Sequence, residues 1–114
     1  MKEDKNMFNI LFSSNIINMV CNDIADNKTR IEVNELFIEE LSELIKAVVK
    51  LERWYMGEIT LRYNIDEIYN NLYEELADVF IMMLQFIYKN KIEYKDLLNK
   101  MCKKLIGYYE TKQE

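Results

Sequence analysis

The chain has 114 residues, half of them hydrophobic, with a formal net charge of −5 and neither histidine nor proline. That length suits one domain, residues 1–114, around a single core, and with Gly57 and Gly107 as its only glycines it is poorly supplied for turn-dependent sheets, so an all-α fold is expected. The acidic balance excludes a nucleic-acid surface, which needs clustered Lys and Arg, and the missing histidine excludes Ser-His-Asp and Cys-His nucleophiles, His-containing zinc sites and Glu-x-x-His di-iron bundles.

No signal peptide and no apolar run long enough to span a membrane is evident. Cys21 and Cys102 lack disulfide spacing, so free thiols in a cytoplasmic protein are expected. The first predicted helix runs from about Lys5 to Asp26, with Asp4 as N-cap and Ile10, Ile17, Val20 and Ile24 on one face.

The second helix opens on Thr29-Arg30-Ile31-Glu32, a capping-box pattern, with Asn34 as a competing start. Leu36, Leu44, Ala47, Val48, Leu51 and Tyr55 form its apolar stripe, and Gly57 suits the position just past its end. At 3.6 residues per turn, Glu40 lies about 40° from Leu36, inside the stripe, and Glu43 lies at its edge.

A loop over Glu58 to Tyr63 precedes a third start at Asn64-Ile65-Asp66-Glu67, where Asn caps and the acids complement the helix dipole. The third helix, to about Asn90, carries Ile68, Leu72, Leu76, Val79, Met83 and Phe86 on its stripe. Glu75 falls between Leu72 and Val79, and Asp78 at the margin. Its second half, residues 79–84, is apolar almost all round, which implies that helix 3 contributes to an oligomer interface. The last helix, about Tyr94 to Glu110, has Leu97, Leu98, Met101, Leu105 and Tyr108 as apolar positions.

Glu40/Glu43 and Glu75/Asp78 are i, i+3 pairs, with side chains close enough to grip one cation from the same side. Solvated helix carboxylates are commonplace, and position is what sets these apart. A carboxylate inside an apolar stripe must be protonated, hydrogen-bonded by Tyr or Asn, paired with Lys, or bound to a divalent cation. Four oxygen ligands together suit a hard ion.

Glu39-Glu40-Leu41-Ser42-Glu43-Leu44, followed after a helix-loop-helix spacer by Glu75-Leu76-Ala77-Asp78-Val79, resembles the MazG-type all-α nucleoside triphosphate pyrophosphohydrolases. The resemblance covers roughly Leu36 to Tyr108 and implies a four-helix bundle-like domain. It implies Mg²⁺, or Mn²⁺ in its place, on Glu40, Glu43, Glu75 and Asp78, and cleavage of (d)NTP to (d)NMP and pyrophosphate by water attack at a metal-bound phosphate. Glu40 or Glu43 would act as the catalytic carboxylate on the water.

Lys46 and Lys50 either meet substrate phosphates or form solvated pairs on the helix. Lys100 and Lys103 resemble basic residues that the family often places on the last helix, and Trp54 either stacks on a base or packs in the core. Expected partners are a nucleoside triphosphate and further copies of the chain, as a dimer or dimer of dimers, with no nucleic acid and no membrane. The alternative is a noncatalytic helical protein–protein interaction domain related to MazG. Convergence of the carboxylates around one site separates the two.

Overall fold

Two side-chain caps and one glycine delimit the long helices. Thr29 Oγ1 accepts from the Glu32 N–H at 3.1 Å, and Asn64 Oδ1 accepts from the Glu67 N–H at 2.9 Å. Each satisfies one of the donors that a helix start leaves without an internal partner. Gly57, at φ +82°, ends the first of them: its N–H donates to Trp54 O and that of Glu58 to Arg53 O, the paired bonds of a Schellman terminus.

The computed structural model describes residues 16–113, and the side chains of residues 16–111. It contains four helices: α1 (Ile16–Asp26), α2 (Arg30–Tyr55), α3 (Ile65–Lys89) and α4 (Tyr94–Gln113). The fold is all-α, with no strand among the described residues. Thr29, not Asn34, caps α2. The expected cap at Asp4 and the apolar Ile10 lie outside the described residues.

α2 and α3 form an antiparallel hairpin. Partners descend along α3 as they rise along α2: the Asn34 and Asn90 side-chain amides pair at 2.7 Å, the Phe37 and Phe86 rings pack at 4.9 Å, and the Tyr55 and Tyr69 hydroxyls meet at 2.7 Å. α1 lies against α3, with Tyr88 Oη donating to Asp26 Oδ1 at 2.6 Å. The core where these helices meet is Ala25, Val33 and Met82, flanked by Leu36, Phe37 and Phe86.

Three burial expectations change. α1 buries Cys21 and Ala25, whereas Val20 and Ile24 are exposed, because the small side chains let its backbone approach α3. On α2, Val48 belongs to the outer surface and Tyr55 is exposed although its hydroxyl reaches Tyr69 on α3, and the buried positions are Val33 and Ala47. On α3, Met82 and Gln85 are buried beside the expected stripe, whereas the exposure of Phe80 and Ile81 agrees with the apolar run over residues 79–84. The buried Gln85 carboxamide is satisfied by Lys28, whose Nζ donates to Oε1 at 3.3 Å.

α4 stands away from this body. Its described side chains are all exposed, and it makes no extended packing against α1, α2 or α3. Tyr94 Oη, donating to Asn18 Oδ1 at 3.3 Å, ties down its first turn. The radius of gyration is 17.9 Å, against about 13 Å for a compact domain of this length.

Candidate metal centre

The hairpin places the two acidic motifs at the same level. Glu40 reaches from the middle of α2 towards α3, where Glu75 and Asp78 sit one helical turn apart. One carboxylate oxygen from each of the three lies within 4.8 Å of the others. Glu40 and Glu75 are half-buried and Asp78 is exposed, so the cluster opens to solvent on the Asp78 side.

Like charges at this spacing repel, and the surroundings do not relieve them. No Lys or Arg among the described residues forms an ion pair with any of the three. The Glu40 carboxyl is pushed above its ordinary value, first by burial and then by the charges of Asp78 and Glu75, with smaller contributions from Glu39 and Glu43. An all-oxygen donor set without a compensating cation fits a hard divalent ion. Glu40, Glu75 and Asp78 would each offer such an ion one carboxylate oxygen.

Glu43 is the motif carboxylate outside the trio. It lies one turn from Glu40, and its Oε1 accepts from Lys46 Nζ at 3.2 Å. Lys46 and Lys50 both line a cleft of about 370 Å³ at the end of α2, together with Arg53, Arg62, Ile59 and Tyr63. Within it, Lys50 Nζ sits 3.8 Å from the centre of the Tyr63 ring, and Arg53 Nε donates to Glu58 Oε2 at 3.0 Å. Sequence reasoning missed Arg53 and Ile59 as members of this cleft, since the loop that folds them together has no repeating pattern. The carboxylate trio lines neither this cleft nor a second of about 570 Å³ between α1 and the α3–α4 turn.

Trp54 is half-buried, donates its indole N–H to Tyr63 O at 3.0 Å and stands edge-on to Tyr55 at 5.4 Å. Its polar atom therefore holds the loop over residues 57–63 against the end of α2. Lys100 and Lys103 lie exposed on α4, and the fold does not bring them to the carboxylates of the same chain.

The chain matches the MazG nucleotide pyrophosphohydrolase domain over residues 28–111. It belongs to the MazG family. No curated protein and no solved structure matches it. The matched span of this MazG domain begins just before α2 and ends within α4, so it includes both acidic motifs and the outlying last helix, and leaves out α1. No helix among the described residues is long and apolar enough to cross a membrane.

Proposed function

We propose that this MazG-family chain is a Mg²⁺-dependent nucleotide pyrophosphohydrolase that converts (d)NTP to (d)NMP and pyrophosphate. The observation that carries this reading is the convergence of Glu40, Glu75 and Asp78 from two helices on one point. A helical interaction domain has no need to gather like charges at a half-buried site, because doing so costs stability.

Glu40, Glu75 and Asp78 would hold the ion, with Glu43 one turn away completing the acidic face. A bound hard cation neutralises charge on the substrate phosphates and on the leaving group. Glu40 or Glu43 orients the attacking water and accepts its proton. Glu43, one turn from Glu40 and bonded to Lys46 at 3.2 Å, is the second candidate for that task. Lys46 and Lys50 offer positive charge to the phosphates from the adjoining cleft.

Lys100 and Lys103 keep a place in this reading only through a second copy, since α4 stands away from its own chain's carboxylates. Exposed Phe80 and Ile81 support a contribution of α3 to assembly. The free thiols of Cys21 and Cys102 support a reducing, cytoplasmic compartment.

The test is pyrophosphate release from a panel of nucleoside triphosphates with and without Mg²⁺, beside Glu75→Gln. Turnover that requires Mg²⁺ and falls at least about a hundredfold in Glu75→Gln, roughly 2.7 kcal/mol of transition-state stabilisation, is expected. Equal, negligible turnover in every case overturns the proposal.

A further inference from the structure

The cleft at the end of α2 gathers positive charge in an acidic chain. Arg30, Arg53 and Arg62 are the chain's arginines, and the last two line this cleft together with Lys46 and Lys50. Lys46, Lys50 and Arg53 follow one another at spacings of four and three residues, so they share a face of α2. Arg62 and Tyr63 come from the loop that Gly57 turns back. Ile45, Val49 and the buried Ile59 supply an apolar wall.

Three of the four cations are held in place. Lys46 Nζ bonds Glu43 at 3.2 Å, Lys50 Nζ stands 3.8 Å from the Tyr63 ring centre, and Arg53 donates to Glu58 at 3.0 Å. The Arg53 bond uses Nε, so the two terminal guanidinium nitrogens keep their N–H groups for another acceptor. Lys50 and Arg62 have no carboxylate partner among the described residues. Ordinary surface pairing accounts for Lys46 and Arg53. It does not account for Lys50 and Arg62 beside them.

A surplus of fixed cations calls for an anion with several oxygens. Guanidinium forks match phosphate geometry, and cations positioned before the ligand arrives lose little entropy in binding it. The apolar wall keeps water back and strengthens their attraction. The volume of about 370 Å³ accommodates a diphosphate group. Glu43 links the cleft to the trio, one turn from Glu40 on one side and bonded to Lys46 on the other. Resting on the pyrophosphohydrolase reading, we propose that this cleft is a diphosphate site that seats the β- and γ-phosphates of the triphosphate, the end that departs as pyrophosphate. Water attacks the α-phosphorus and its proton passes to Glu40 or Glu43. The bond from that phosphorus to the bridging oxygen breaks, and the electron pair stays on this oxygen, at the end held by Arg53 and Arg62.

The experiment is calorimetric titration of pyrophosphate into the full chain in EDTA, with the carboxylates free of cation. Binding is expected, at least about tenfold weaker in Arg62→Gln and no weaker in Glu75→Gln. Arg62 is exposed and makes no ion pair among the described residues, so the variant should keep its helices, which circular dichroism checks. In turnover, Arg62→Gln should lower kcat/KM at least about tenfold while the Mg²⁺ Kd stays within about threefold, and pyrophosphate should compete with the triphosphate. Absent pyrophosphate binding, or equal binding by Arg62→Gln, overturns the diphosphate site. Binding abolished by Glu75→Gln places the anion at the carboxylates and overturns it equally. Binding through Arg62 with noncompetitive inhibition places a separate effector in the cleft and overturns the assignment to the substrate. The titration involves no turnover, so the two readings fail separately. A chain that hydrolyses triphosphate but binds pyrophosphate without Arg62 loses this inference alone, and one that binds it through Arg62 but hydrolyses nothing loses the catalytic reading.

Discussion

Glu40 on α2 and Asp78 on α3 present carboxylate oxygens within 4.8 Å of each other, and no cationic side chain among the described residues pairs with either. Two helices packed by apolar contacts therefore hold like charges together. Such an arrangement lowers the stability of the metal-free protein and leaves it responsive to a bound cation.

The first prediction concerns pH and metal. Burial, then Asp78 and Glu75, raise the Glu40 pKa above its ordinary 4.5. A carboxyl whose folded pKa exceeds its unfolded value binds its proton more tightly in the native state. Its contribution to stability is full below the unfolded pKa and is lost as pH rises through the folded one. Without metal, the Tm difference between the native chain and Glu40→Gln should therefore move against the native chain as pH rises from about 4.5. Mg²⁺ should raise the native Tm, with about 2.7 kcal/mol of added stability at a hundredfold excess over its Kd. Parallel pH profiles and a Tm indifferent to Mg²⁺ would show that the trio holds no ion.

A second prediction separates the two carboxylates of the first motif. Glu40 belongs to the trio, whereas Glu43 bonds Lys46 beside it. Glu40→Gln should weaken Mg²⁺ binding, read by calorimetry, about tenfold or more, or about 1.4 kcal/mol. Glu43→Gln should lower kcat while changing the Mg²⁺ Kd by less than about threefold. If both variants lose metal affinity equally, Glu43 is a ligand of the same rank and the proposed division of labour fails.

Trp54 gives a third. Its N–H···O bond to Tyr63 fastens the 57–63 loop, so Trp54→Phe should cost about 1 kcal/mol of stability, measured by urea denaturation. The basic cleft that this loop walls would loosen with it. A rise in KM with unchanged stability would instead mark Trp54 as a base-stacking surface.

Local chemistry made much of this legible. Thr29, Asn64 and Gly57 act through their own side chains or their own backbone freedom on residues two to four positions away, so the helix ends follow from the sequence. The i, i+3 carboxylate pairs likewise follow from helical spacing, as does the placement of Glu40 inside an apolar stripe.

Other features depended on which helix faces which. On α1, Cys21 and Ala25 are buried while the larger Val20 and Ile24 stay exposed, because close approach to α3 favours small side chains. Val48 fits the period of the inner stripe of α2 loosely, and the packing of α3 left it outside. Glu43 meets the motif pattern as well as Glu40 does, yet the rotation of α2 against α3 brings one carboxylate into the trio and leaves the other with Lys46. The sequence by itself determined four helices, the N-caps of the two long ones and the acidic residues available to a cation, because each is written in contacts within one or two turns. Only the tertiary structure decided which three carboxylates meet, and that α4 finds no bed on its own chain, because both depend on contacts between residues far apart in sequence.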